Sequence, residues 1–254
     1  MRFLLALIAL VLLLAAAFAA FAPATLVERE IAQRASDRVH LTGAEGTIWA
    51  GRGELTVTGS DVRLPIAWRI DVPASLAHGE LRGSLSTEPG AAQSARFELG
   101  RDHIRVEELE LALPAADILR ASKASLPLRT GGVVRLRVTS FDSDRTTANV
   151  DAIADWENAE LAGPGSDLRL ALGTVHAAFA GGGSEIPGSL QNQGGDVQIA
   201  GSMRWPVRGA PSVDLTVTPR PGLEPDRAAN LNALLGMVAR PDGGTYRLTW
   251  SAAR

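Results

Sequence analysis

The chain has 254 residues, 46% of them hydrophobic but only 5% aromatic, so its core must rest on Leu, Val and Ala. Its 25 Lys and Arg against 28 Asp and Glu leave a net charge of −3, which gives no electrostatic case for nucleic acid. With no cysteine, a disulfide framework, a thiolate metal site and a cysteine nucleophile are all excluded.

Residues 3–22 carry no charged or strongly polar group. The run is built on Phe3, Leu4, Leu5, Leu7, Ile8, Leu10, Val11, Leu12, Leu13, Leu14, Phe18 and Phe21. As a helix it would measure ~30 Å, the thickness of a bilayer's hydrocarbon core, so 1–22 is predicted as a transmembrane anchor. A cleaved signal peptide is the competing reading, because Ala17-Phe18-Ala19 and Ala20-Phe21-Ala22 fit a small-x-small cleavage pattern. The run is longer than the apolar region of most signal peptides, which favours the anchor. Arg2 on one side and Arg29, Arg34 and Arg38 on the other leave the orientation unset by charge counting alone. Residues 23–40 place Leu26, Val27, Ile31, Ala35 and Val39 at helical spacing, which predicts a helical stalk.

From Leu41 onward the period changes to two, and 41–254 is predicted as one β domain of about eight to ten strands. Gly43, Gly46, Gly51 and Gly53 bracket Thr47-Ile48-Trp49, as bulges and tight turns around a short strand require. Val62, Leu64, Ile66, Trp68, Ile70 and Val72 then alternate with Arg63, Pro65, Ala67, Arg69 and Asp71, a strand with one apolar face. Ile104 and Val106 keep even positions while Leu109, Leu111 and Leu113 keep odd ones, so a β-bulge is expected at Glu107-Glu108. A helix is predicted over 114–124, and further strands at 134–138, 168–172, 197–205 and 213–217. The segment 181–195, GGGSEIPGSLQNQGG, is the best candidate for a mobile loop. A second helix over 225–239 carries Leu231, Leu234, Leu235 and Val238 on one face, expected to cover the sheet. Tyr246, Leu248 and Trp250 form a closing strand. A glycine followed by tryptophan at both 43–49 and 201–205 suggests two similar halves meeting near 125–165. The expected fold is all-β and mainly antiparallel, a strongly curved sheet or an open barrel-like sandwich with one or two accessory helices.

The order Leu41-x-Gly43-x-x-Gly46-Thr47-Ile48-Trp49-x-Gly51, followed by Trp68, Pro73, Leu76, Gly79 and Leu81, resembles the signature of the protein N family of the bacterial type II secretion system. Later landmarks of that family are similar to Trp156-Glu157-Asn158-Ala159, the strand from Gly201 to Trp205, and Asp242-Gly243-Gly244-x-Tyr246-x-Leu248, so the resemblance spans nearly the whole chain. It implies a single-pass inner-membrane protein with most of its mass in the periplasm. It also implies an accessory part of the machine that moves folded proteins across the outer membrane, working with other secretion-system proteins. It implies no catalytic residue, cofactor or metal. Gly43, Gly46, Trp49, Gly51, Trp68, Pro73 and Gly79 are therefore expected to determine the fold.

The search for reactive groups agrees with a non-enzymatic role. There is no nucleophile elbow and no phosphate-binding glycine loop. His40, His78, His103 and His176 are scattered singly. Asp142-Ser143-Asp144 reads as a polar hairpin turn, and Glu107, Glu108 and Glu110 as solvent-facing groups at the bulge. Trp68, Trp205 and Trp250 continue the apolar alternation and are expected in the core, whereas Trp49 and Trp156 are expected to be partly exposed. An alternative of another class stays open. Glycine-tryptophan β segments behind one membrane helix also resemble envelope proteins of the AsmA type, which implies an apolar β groove and a lipid partner.

Overall fold

The computed structural model describes residues 21–34, 39–58, 62–87, 95–121, 129–163 and 169–251. Among them the chain is a mainly antiparallel all-β protein with four helices. It forms two compact units, Met1–Phe97 and Glu98–Arg254.

The first unit contains helix α1 (Thr25–Arg34), strands β1 (Val39–Gly46), β2 (Ala50–Val57) and β3 (Arg63–Ile70), helix α2 (Val72–His78) and strand β4 (Leu81–Ser86). The four strands pair successively and antiparallel. The alternation of β3 puts Ile66 and Trp68 in a core with Leu41 of β1, closed by Leu55, Leu64 and Leu85. Of the residues read as a stalk, Thr25–Arg34 form a helix, 35–38 lie outside the described residues, and Val27 and Ile31 pack onto that same core. Val39 already belongs to β1. The strand predicted to reach Val72 stops at Ile70, because the Asp71 carboxylate accepts a hydrogen bond from the Ala74 amide at 3.0 Å and caps α2. Pro73 sits in the first turn of that helix, and Gly79 ends it at φ 69° in the left-handed region.

Strand β5 (Ala95–Leu99) crosses the boundary. The second unit contains β6 (Ile104–Pro114), α3 (Ala115–Ala121), β7 (Arg129–Ser143), β8 (Ala148–Ala162), β9 (Arg169–Gly183), β10 (Glu185–Gln193), β11 (Val197–Pro206), β12 (Ser212–Pro219), α4 (Pro225–Val238), β13 (Arg240–Asp242) and β14 (Thr245–Ser251). Strands β6 to β12 pair in sequence order, after which β14 pairs with β12 and β13 lies outside β14. Residues 129–162, where a join between halves was expected, fall in β7 and β8, which pair along their length.

Several sequence expectations change on contact with this sheet. Segment 181–195 is not a loop: Gly181 and Gly183 end β9, and Ile186, Gly188 and Leu190 alternate along β10 in register with β9 and β11. Its glycines and amides mimic loop composition, but their backbone groups are used in a ladder. The helix expected over 114–124 is α3, over Ala115–Ala121, because Pro114 still pairs with Val133 in β6, and 122–128 lie outside the described residues. At Glu107-Glu108, where a bulge was expected, Glu108 is left-handed, φ 59°, but the register of β6 with β7 runs unbroken. The register break itself lies one strand over, between Val138 and Ser140 of β7 against β8.

Helix α4 lays Leu231 and Leu235 on the apolar face of the sheet, against Leu170, Val175, Val197, Ile199 and Val217, with Tyr246 at the margin. Burying each such side chain contributes about 2 kcal/mol. Trp205 and Trp250 correct the expectation that they lie in the core: they are 55% and 49% exposed, because they end β11 and β14 beyond the rows that α4 covers. Trp68 is buried as expected, and Trp49 and Trp156 are half-buried.

Candidate functional site

The glycine-tryptophan signature assembles around one ring. Between β1 and β2 the Thr47 amide donates to the Ala50 carbonyl at 2.9 Å, and the Ala50 amide donates to Thr47 Oγ1 at 3.1 Å. Gly46 makes this turn at φ 92°, where a Cβ would lie 2.5 Å from the Ala50 carbonyl oxygen. Gly51 of β2 faces Trp68 of β3, and a Cβ on it would stand 2.5 Å from the ring carbon Cζ2. The indole Nε1–H of Trp68 donates to the Ile48 carbonyl at 3.1 Å, and the Ile70 amide donates to the Trp49 carbonyl at 2.6 Å. The ring thus lies against bare backbone on one side and ties the turn down through its N–H. Gly43, φ 64°, is in the β1 bulge, while Pro73 and Gly79 frame α2.

The same turn grips the chain that follows the apolar run. The Ile48 amide donates to the Ala22 carbonyl at 2.9 Å, the Ala24 amide donates to the Gly46 carbonyl at 3.1 Å, and Pro23 bridges to Thr47. Ala22 and Ala24 are buried, whereas Phe21, the last ring of the predicted anchor, is 80% exposed. The other anchor positions, from Phe3 to Phe18, lie outside the described residues. Among the described residues no helix is long and apolar enough to cross a membrane. Beside the turn a shallow groove is lined by Glu45, Arg52, Arg69, Ser84 and Ser86, with Glu45 and Arg52 paired at 2.6 Å.

Titratable groups are spread over the outward sheet faces as cross-strand pairs. His176 Nδ1 lies 2.5 Å from Asp155, and His103 lies 3.3 Å from Asp142. Sequence spacing hides both contacts, since each joins neighbouring strands far apart in the chain. Arg105–Asp142, Arg137–Glu110, Arg135–Glu157 and Arg247–Asp214 repeat the pattern. Hydrogen bonding to the Glu110, Asp142 and Asp214 carboxylates raises the pKa of Arg137, Arg105 and Arg247 above its ordinary value. The Arg247 bond holds the Asp214 carboxyl below the usual range. Asp144 is pushed well below that range by four hydrogen bonds from the amides and hydroxyls of Thr146 and Thr147, which make it the hinge of the β7–β8 turn. Among the described residues no three His, Asp or Glu side chains gather where they could hold a metal ion. The His176–Asp155 pair stands on an exposed strand face, each side chain about a third exposed.

These features define an all-β protein whose glycine-tryptophan turn fastens the segment behind an apolar run. The family model for the type II secretion system (T2SS), protein N, matches residues 37–249, and the chain belongs to that family. No curated protein and no solved structure gives a significant match.

Proposed function

We propose that this secretion-system component is non-enzymatic, is anchored in the inner membrane by residues 1–22, and holds its β units in the periplasm to support export of folded proteins across the outer membrane. The observation that carries the anchoring is the clasp of Ala22 and Ala24 by the Gly46–Gly51 turn. A membrane helix ending near Phe21 would be joined to the sheet with almost no slack. The family match over 37–249 supports both the export role and the non-enzymatic reading. Its partners in this reading are other proteins of the secretion machine.

Deletion of the gene should trap folded exoproteins in the periplasm, and the full chain supplied in trans should restore their release; unchanged secretion would refute the export role. Anchoring is tested separately. The chain has no cysteine, so a Gln198→Cys variant carries a single thiol on an exposed strand position. That thiol should react with a membrane-impermeant maleimide in cells with a permeabilised outer membrane, while the protein resists carbonate extraction. A protein released by carbonate would refute the anchor.

A further inference from the structure

The first unit exposes its large apolar side chains at one end. In the antiparallel order of β1 to β4, the turn at 47–49 and the connection at 71–80 stand at the same end of the strands. They are tied together there, since the Ile70 amide donates to the Trp49 carbonyl at 2.6 Å and the Asp71 amide to the Arg82 carbonyl at 2.8 Å. The chain enters at that end too, where the turn clasps Ala22 and Ala24. Among the described residues of this unit, the exposed large hydrophobics are Phe21, Leu26, Leu76 and Leu81, and every one of them is there. Phe21 precedes the clasp, Leu26 lies in the first turn of α1, Leu76 is on α2, and Leu81 begins β4.

Helix α2 extends the patch. Its residues, Val72–His78, include no Asp, Glu, Lys or Arg, and none of them is buried. Pro73, Leu76 and Ala77 are exposed and share one helix face at three- and four-residue spacing, with Leu76 80% exposed. A lone surface leucine is ordinary, but large apolar groups gathered at one end of a small unit mark a contact surface. The carboxylates nearby are engaged within the unit: Glu45 pairs with Arg52 at 2.6 Å, Glu80 pairs with Arg82 at 3.5 Å, and Asp71 caps α2. What selects the occupant is the chain that precedes the patch. Residues 3–20 carry no charged or strongly polar group, and this run ends at Phe21, itself a member of the patch. We infer that this end of the first unit rests on the outer leaflet of the inner membrane, with Leu26, Pro73, Leu76, Ala77 and Leu81 entering the boundary between headgroups and acyl chains. Arg69, exposed and in register with Ala50 and Ser84 at the same end, then sets a cation at headgroup depth. The inference rests on the anchoring of residues 1–22 proposed above and adds a second, peripheral contact to it.

The test uses the full chain, which has no cysteine, carrying one environment-sensitive fluorophore at Phe21→Cys, Leu76→Cys or Arg63→Cys. Arg63 is exposed at the opposite end of β3, about 23 Å from Ile70 along the strand. Each protein is reconstituted into vesicles of phosphatidylethanolamine and phosphatidylglycerol, with and without a phospholipid bearing a nitroxide at the headgroup end of one acyl chain. Side chains of a seated surface helix lie about 5–10 Å into the boundary, so labels at 21 and 76 should be blue-shifted and lose at least about half their intensity to the nitroxide. The label at 63 should stay unquenched. Leu26→Glu/Leu81→Glu should return the label at 76 toward the value at 63. Quenching at 21 without quenching at 76 would overturn the peripheral contact and leave the anchor standing. Absence of quenching at 21 together with release by carbonate would remove the anchor, and the peripheral contact with it. A label at 76 that is blue-shifted but insensitive to the nitroxide would also overturn the lipid contact, assigning the patch to a second copy of the chain.

Discussion

Three glycine-to-alanine changes separate the two reasons a glycine is needed, backbone angle and close approach. At Gly43 φ is 64° and nothing lies within 4 Å of a new Cβ, so Gly43→Ala incurs only the left-handed backbone cost, about 1 kcal/mol. At Gly51 the backbone is ordinary for an L-residue, but the Cβ would stand 2.5 Å from Trp68 Cζ2 and 2.7 Å from the Glu45 carbonyl oxygen. The second of these is backbone and cannot rotate away, so the change should cost about 2–3 kcal/mol through overpacking. Gly173 combines both, with φ 75° and a Cβ 2.1 Å from the Gln193 carbonyl oxygen, and Gly173→Ala should cost about 3–5 kcal/mol. For units of these sizes the costs correspond to losses in Tm of about 6 °C for Gly43→Ala, about 15 °C for Gly51→Ala and about 12 °C for Gly173→Ala, read by near-UV circular dichroism of the full chain. Amide exchange gives the local readout. In Gly51→Ala the displaced indole should free the Ile48 and Ala24 amides, the two that clasp the residue after the apolar run. Equal losses for Gly43→Ala and Gly51→Ala, or a Gly51→Ala loss below about 0.5 kcal/mol, would refute the close-approach reasoning.

Other outcomes follow from the same contacts. Leu231→Ala, at a side chain 3% exposed between α4 and the sheet, should cost about 3 kcal/mol, and hydrogen exchange in α4 should rise before that of β9. Asp144→Ala should lower the melting temperature at neutral pH. A carboxyl whose folded pKa is depressed contributes above its unfolded value near 4 and loses that contribution as pH falls. The gap between wild type and Asp144→Ala should therefore hold from pH 8 to pH 5 and close below about pH 4 in a melting series. Trp205→Ser and Trp250→Ser should each cost under about 1 kcal/mol in urea unfolding, whereas Trp68→Ala should cost about 3–5.

Strand positions were legible because alternation survives in the sequence wherever one face meets a core. Val62 to Ile70, Leu109 to Leu113 and Val134 to Val138 all show it. The places where reading failed are those where a local signal competed with a partner distant in sequence. Asp71 looked like the polar phase of a strand, yet its carboxylate caps a helix that Pro73 and Gly79 delimit. In 181–195 glycine-rich composition outweighed the alternation of Ile186 and Leu190. Trp205 and Trp250 keep the phase of buried residues, but phase fixes a face and says nothing of whether anything covers it. The clasp was legible only in part. The glycines announced a turn, while the bonds to Ala22 and Ala24 depend on how β1 comes back toward the segment before α1.

Several glycines of this chain stand where a side chain would not fit. Would-be Cβ atoms at Gly46, Gly51, Gly132, Gly173 and Gly195 all fall within 2.1–2.7 Å of a backbone oxygen. A residue kept for such a reason fails by misfolding, and its loss would abolish export whatever the protein does in the machine. Substitutions at such glycines therefore cannot identify a working surface, even when they eliminate secretion. The informative positions are exposed ones whose replacement leaves the fold intact: Arg69 beside the polar groove, Trp205 and Trp250 at the rim, and the outward faces of β8 and β9. A working contact is located where such a variant loses secretion while its melting temperature stays within about 2 °C of wild type. If every export-deficient variant is also thermally weakened by more than that, the exposed faces are passive and the role of the chain lies in holding its partners at a distance from the membrane.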